Sequence, residues 1–113
     1  MNAYTMIPND VFDELLIELT GSELKIFLVI LRQTLGWKNQ RTGKRKIWDR
    51  INQYQFKQKT GLSKRVISQS IQSLVDKKLI RITNYEGNIL DTPLKRRGNP
   101  HLFYSLGERL MQK

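Results

Sequence analysis

Between Thr20 and Gly36 the chain is apolar around most of a helix's circumference, and such a helix has to lie inside a fold rather than on its surface. Thr20-Gly21-Ser22-Glu23 has the S/T-x-x-E form of a capping box, which satisfies two backbone N–H groups at a helix start. Gly36 stands where a helix stop is expected. The spacing predicts a helix over 21–35 with Leu24, Phe27, Leu28, Leu31 and Leu35 as its buried stripe, widened by Ile26, Val29 and Ile30. Every other element must then supply an apolar face to cover it.

Those elements follow from local signals. Residues 1–8 read as an extended arm, because the residue before Pro8 is pushed out of the helical region. Asn9 is a suitable N-cap, and Val11, Phe12, Leu15, Leu16 and Leu19 recur at helical spacing, giving a first helix over 9–19. Residues 38–46 are polar and basic with a turn former at Gly43, a loop or hairpin leading into a short strand at Ile47–Ile51. Trp37 and Trp48 flank apolar elements and are expected to pack into the core, base stacking being the alternative.

Asn52 opens a short helix over 53–59 with Tyr54 and Phe56 available to the core, and Thr60-Gly61-Leu62 is a tight turn. Ser63 caps a helix over 64–78 whose apolar set is Val66, Ile67, Ile71, Leu74 and Val75. Its opposite face is Lys64, Arg65, Ser68, Gln69, Gln72, Ser73 and Asp76. Residues 79–85 alternate and are β-branched, a strand; Lys95-Arg96-Arg97-Gly98-Asn99-Pro100 is a basic loop; residues 102–106 return as a strand, and 107–113 form a short tail.

This order predicts a single domain over 1–113, mainly α with a small β-hairpin, in an α+β class. A short helix, a glycine turn and a second helix make a helix-turn-helix over 53–78, and a wing hairpin over 80–106 makes it a winged helix.

The charge shows what such a fold is for. The chain has 113 residues and a formal net charge of +10. Residues 1–24 hold five acids and no bases, so −5, and residues 25–113 carry +15. Bases cluster at 38–46, at Lys64-Arg65, at Lys77-Lys78 with Arg81, and at Lys95-Arg96-Arg97, a footprint for a polyanion. Cysteine is absent and His101 is the sole histidine, which leaves no thiolate zinc site, no cysteine nucleophile and no multi-histidine metal site. There is no glycine-rich phosphate loop, so an enzyme is not expected, nor a metal or cofactor. The longest apolar run, Ile26 to Leu31, is six residues, far short of the ~18 that cross a bilayer, and residues 1–24 have no basic n-region of a secretory signal. No membrane partner is expected.

In a helix-turn-helix the first turn of the second helix faces base edges in the major groove. Lys64 and Arg65 suit guanine, Gln69 and Gln72 suit adenine, and Ser63 and Ser68 offer hydroxyls to phosphate or base. Lys95, Arg96 and Arg97 on a wing tip would follow the neighbouring backbone or minor groove, and Lys44, Arg45 and Lys46 add a second basic loop. The alternative for all of them is a solvated face. Residues 1–24 are acidic and should face away from DNA, yet Tyr4, Met6 and Ile7 are more apolar than a free tail needs. A homodimer through this region, or a hold on another protein, is the expectation, with packing inside the domain as the alternative.

Five stretches resemble a known family: residues 4–9 (Tyr-Thr-Met-Ile-Pro-Asn), 21–25, 32–37 (Arg-Gln-Thr-Leu-Gly-Trp), 60–68 and 74–80. They are similar to the N-terminal, origin-binding domain of phage replication protein O. The resemblance implies sequence-specific binding of double-stranded DNA at repeated origin sites, usually as a dimer, in phage- or plasmid-type replication initiation. It implies work in the cytoplasm of a bacterial host, at the nucleoid. The family's helicase-contacting region lies beyond such a domain, so the replicative helicase or its loader enters as an implied partner. Two other readings stay open at this point. One is a winged-helix transcription regulator on an operator; the other is a small phage protein-interaction module that docks on a host replication or transcription enzyme.

Overall fold

The computed structural model describes residues 4–35 and 48–111. The basic segment 38–46, with Lys44, Arg45 and Lys46, together with Gly36 and Trp37, lies outside the described residues.

Helical turns begin at Asn9 itself, so Asn9 lies inside the first turn rather than capping it. A π-helical stretch, Val11–Leu15, runs directly into a short α-helical turn, α1 (Leu16–Glu18). The Leu16 N–H reaches back five residues to the Val11 carbonyl, the wider ring of a π-bulge. Val11, Leu15 and Leu19 enter the core. Phe12 and Leu16 stay about half exposed and Ile17 almost fully so.

The central helix, α2 (Gly21–Thr34), starts on the expected capping box: the Thr20 hydroxyl accepts from the Glu23 N–H at 3.1 Å, and Glu23 Oε1 accepts from the Thr20 N–H at 2.8 Å. Its deepest residues are Ile26, Phe27, Ile30 and Leu31, with Glu23 and Thr34 in line, while Leu24, Leu28 and Leu35 are only partly buried. The buried stripe is thus turned toward Ile26 and Ile30 from the leucine face expected. On a helix apolar nearly all round, pattern alone does not tell which side meets the most neighbours.

Strand β1 (Trp48–Arg50) follows, then α3 (Gln53–Thr60), opened by a second capping box between Asn52 and Gln55. Gly61 closes α3 at φ +73, the left-handed conformation that a side chain resists, and its N–H bonds to the Lys57 carbonyl at 2.8 Å. Helix α4 (Lys64–Asp76) is capped by the Ser63 hydroxyl, which accepts from the Val66 N–H. It stops two residues before the expected end. There the Lys78 N–H bonds to Val75 and the Leu79 N–H to Leu74, a Schellman turn with Lys78 at φ +63 where glycine is usual.

Strands β2 (Ile80–Thr83) and β3 (Phe103–Leu106) pair antiparallel, and β1 pairs antiparallel with the other edge of β3, giving the order β1-β3-β2. The connection between β2 and β3 is not a simple loop. Asn84 closes a turn through Gly87, Leu90 bonds back to Ile82, and Thr92 caps a short helix, α5 (Pro93–Arg96). Lys95 and Arg96, expected on a wing tip, therefore belong to a helical turn. Thr92 followed by Pro93 is its start, a cap and a proline at the first helical position. A last turn, α6 (Glu108–Met111), ends the described chain.

The molecule is thus α+β, helices around a small three-stranded antiparallel sheet. Helix α2 packs against α4, α3, β1 and β3. Phe56 and Tyr104 meet edge to face at 5.3 Å, and burial pushes the Tyr104 phenol up to about 12, opposed by nearby Arg96. Two expected core residues lie outside it: Tyr54 is 67% exposed and Trp48 is 53% exposed. Tyr54 falls on the outer side of a helix that fits one large ring, Phe56, inward. Trp48 falls on the outer side of the sheet.

Two ion pairs tie the acidic N-terminal region to distant bases. Arg109 holds Glu18 through both carboxylate oxygens, at 2.7 and 2.9 Å, and that contact lowers the Glu18 pKa. Being part-exposed, such a pair contributes on the order of 0.5 kcal/mol. Glu23 is different. It is buried, and besides its capping role it accepts the Ser73 hydroxyl and the Lys77 ammonium, the latter at 2.9 Å. Burial alone would raise its pKa; the bonds from Ser73, Thr20 and Lys77 outweigh it and bring it down to about 2.

A depressed carboxylate pKa stabilises the fold above its unfolded value and loses that stabilisation as pH falls through the folded one. Glu23 should therefore contribute roughly 3 kcal/mol above pH ~4.5, lost progressively toward pH ~2. Urea melts of the wild type and Glu23→Gln across that window test this: the wild-type curve should fall more steeply, and parallel curves would contradict it. At this same end of α4, a Cβ on Gly107 would overlap the Lys78 carbonyl. Gly107→Ala should lower stability by clearly more than the ~1 kcal/mol of an average substitution, while Lys78→Gly should raise it by about 0.5–1 kcal/mol. Thermal melts of both variants check the pair.

Candidate nucleic-acid interface

Helix α4 is strongly two-faced. Ile67, Ser70, Ile71, Leu74 and Val75 are buried, which turns Lys64, Arg65, Ser68 and Gln69 to solvent. Its N-terminus is fixed by the Ser63 cap, and its position against α3 by the Gly61 turn and by a bond from Gln53 Nε2 to the Ser68 hydroxyl at 3.2 Å. Among the described residues the side chains of Lys64, Arg65 and Gln69 have no polar partner. On α4, these three are the expected site residues that the fold leaves exposed, cationic or amide-bearing, and unused.

The others are engaged. The Ser63 hydroxyl is committed to its own helix, and Ser68 accepts from Gln53. Gln72 is half-buried rather than outward. It donates to Asp76 Oδ1 at 2.9 Å and to the Asp91 carbonyl at 3.0 Å, and accepts from Arg96 Nη2 at 2.6 Å. An amide with both ends occupied has nothing left for a base edge. Ser73, placed with the outward face by pattern, is turned to Glu23. Lys77, counted among the basic clusters, is turned there too.

The second basic group splits three ways. Lys95 pairs with Asp91 at 3.0 Å on the surface, and its bond lowers the Asp91 pKa. Arg96 folds inward, giving Nη1 to the Leu90 carbonyl at 2.9 Å as well as Nη2 to Gln72, so it fastens α5 to α4. Burial lowers its pKa, opposed by Tyr104, Asp91 and Asp76. Arg97 alone of the three is exposed with no side-chain partner among the described residues.

Sequence reasoning passed over Lys57 and Lys59. They are exposed in the last turn of α3, just before the Gly61 turn that leads to Lys64 and Arg65. Their signal was the Lys-Gln-Lys spacing ahead of Thr60-Gly61. Together with Lys64 and Arg65 they put four cations on the two helices either side of one turn. Among the described residues, no three His, Cys, Asp or Glu side chains come together as a metal site, and no helix is long and apolar enough to cross a membrane.

A profile of the family described as bacteriophage replication protein O matches residues 1–92, which includes α1 to α4, β1 and β2. The chain belongs to the bacteriophage replication protein O family. The family resemblance noted in the sequence is thereby shown over most of the chain, and it places the protein in phage DNA replication. No curated protein and no solved structure matches the chain. Within this replication protein O family member, the matched region contains the α3–α4 pair but ends before α5, so Lys95, Arg96 and Arg97 lie outside it.

Proposed function

We propose that this replication protein O family member binds double-stranded DNA at a replication origin as a winged helix, reading sequence with α4. The observation that carries the reading is the exposed set Lys64, Arg65 and Gln69, without polar side-chain partners among the described residues, on the first two turns of a helix held by its cap and by the α3 turn. Arg65 donates to guanine and Gln69 pairs with adenine, while Lys57, Lys59, Lys64 and Arg97 neutralise phosphates. The β2–β3 pair acts as the wing, stiffened by α5. Arg96 and Gln72 are positioning residues of that wing and do not touch DNA.

The exposed apolar residues of the N-terminal segment favour a second, compatible contact. Tyr4, Met6, Phe12, Leu16 and Ile17 are all exposed while Val11 and Leu15 are core, so packing inside the domain accounts for only part of this region's apolar surface. The remainder serves a protein partner: a second copy of the chain, or the replicative helicase or its loader.

Duplex affinity should fall about a thousandfold between 50 and 200 mM salt if some six phosphates are neutralised. Arg65→Ala and Gln69→Ala should each lose roughly 1–3 kcal/mol of preference for the origin site over random duplex, and Arg97→Ala should weaken all sequences alike. Fluorescence anisotropy on origin and scrambled duplexes reads both, and equal losses on both duplexes for Arg65→Ala would remove α4 as the reading helix. For the N-terminal surface, sedimentation should show the wild type self-associating and Phe12→Ser with Ile17→Ser shifted to monomer at unchanged thermal stability. Identical sedimentation of the two would leave the helicase or its loader as the occupant.

A further inference from the structure

The outer face of the sheet has a chemistry that the α4 reading does not use. Strand alternation and register put Trp48 and Arg50 of β1, Phe103 and Ser105 of β3, and Arg81 and Thr83 of β2 on one side. The opposite side carries Tyr104, Ile80 and Ile82 into the core. A groove of about 490 Å³ runs over the outer side, lined by Trp48, Arg81, Thr83, Tyr85, Phe103 and Ser105 among others. No carboxylate lines it among the described residues.

Its floor is an aromatic cluster. Phe103 is buried and meets two steeply inclined rings, Trp48 at 5.1 Å and Tyr85 at 5.0 Å between centroids. Both of these rings keep much of their surface open: Trp48 is 53% exposed and Tyr85 is 69% exposed. Tyr85 also meets His101 at 5.6 Å, and Arg50 donates to His101 Nδ1 at 3.0 Å, so a guanidinium is tied beside the aromatic cluster on the same sheet face. Arg81 supplies a second cation within the groove itself.

Large aromatic rings held by a rigid floor, with much of their surface open to solvent and arginines beside them, match one kind of ligand. Unpaired bases stack on such rings while the cations follow the phosphates, and every base has a π-face, so the contact tolerates any sequence. A duplex hides those faces inside its own stack. A protein partner would find here a cationic rim, and the groove lies on the sheet face rather than along the outer edges of β1 and β2. We propose that the outer sheet face binds single-stranded nucleic acid, stacking neighbouring bases on Trp48 and Tyr85 with Arg81 and Arg50 on the backbone. The site is separate from α4 and does not depend on the duplex reading.

The test uses the full chain with three fluorescein-labelled probes in anisotropy titrations at low salt: oligo(dT) of about 20 nucleotides, oligo(U) of the same length, and a mixed-sequence duplex. Tyr85→Ala and Trp48→Ala should each weaken oligo(dT) binding by roughly fivefold to a hundredfold, the range for losing one stacked base. Tyr85→Phe, which keeps the ring, should retain wild-type affinity, and duplex affinity should be unchanged in all three. Tyr85 lies in an exposed turn, so its variants report even where Trp48→Ala fails to fold, which circular dichroism shows. The tighter of oligo(dT) and oligo(U) tells whether DNA or RNA is the ligand. Unchanged oligo(dT) affinity in Tyr85→Ala overturns the proposal, as does an equal loss on the duplex, since one common cationic surface would then explain both.

Discussion

The buried carboxylate of Glu23 is the interaction on which the arrangement of helices turns. A charge taken out of water is costly unless every lone pair finds a donor, and here the Thr20 amide, the Ser73 hydroxyl and the Lys77 ammonium meet it. One of those donors lies in α4, one caps its C-terminus, and one stands at the start of α2. The residue that begins the central helix thereby sets where the C-terminal half of the candidate recognition helix must lie. Apolar packing between α2 and α4 supplies the larger stabilisation but tolerates sliding. A hydrogen-bonded charge tolerates far less, because a shift of an ångström leaves it unpaired.

That constraint explains which parts of the structure could be read from sequence. Thr20 with Glu23, Asn52 with Gln55, and Ser63 each declare a helix start through contacts three residues away, and all three stand where local spacing puts them. The strands are legible for the same reason, since alternation is local. The contacts that decide the site are not local. Glu23 meets Ser73 and Lys77 some fifty positions on, and Gln72 meets Arg96 twenty-four positions on. Before folding, Gln72 and Arg96 look like free polar groups on a basic protein. Afterward they satisfy one another. Lys64, Arg65 and Gln69 are correctly placed on an outward face because that depended only on the period of α4. Trp48 and Tyr54 were misplaced because a large ring next to apolar neighbours says nothing about which side of a three-residue strand or a short helix it takes.

Counting charge without structure overstates what is available to a polyanion. Lys77 and Arg109 neutralise Glu23 and Glu18, Lys95 faces Asp91, and Arg96 is spent on a carbonyl and an amide. What remains from residue 48 onward among the described residues is Lys57, Lys59, Lys64 and Arg65 around one turn, Lys78 after α4, Arg97 beside α5, and Arg50 and Arg81 on the sheet. The acidic N-terminal segment is partly neutralised from within by the same pairs. Its repulsion toward phosphate is therefore weaker than its formal charge implies, and its exposed apolar side chains are freer to meet a protein.

The two candidate surfaces share a mechanical origin. Helix α2 packs against α4 on one side and against β1 and β3 on another, and each of these elements presents its reverse face to solvent. Residues on those reverse faces inherit the rigidity of the core without being part of it: Arg65 and Gln69 cannot shift without moving Ile67 and Ile71, and Trp48 rests on Phe103, whose neighbour Tyr104 is locked against Phe56. Preorganisation of this kind lowers the entropy lost when a ligand orders the side chains it touches. It also separates the ligands by shape. A convex helix face fits the major groove of a closed duplex, and a shallow aromatic groove fits bases that have left one. A core built around a single buried helix is enough to hold the two surfaces apart.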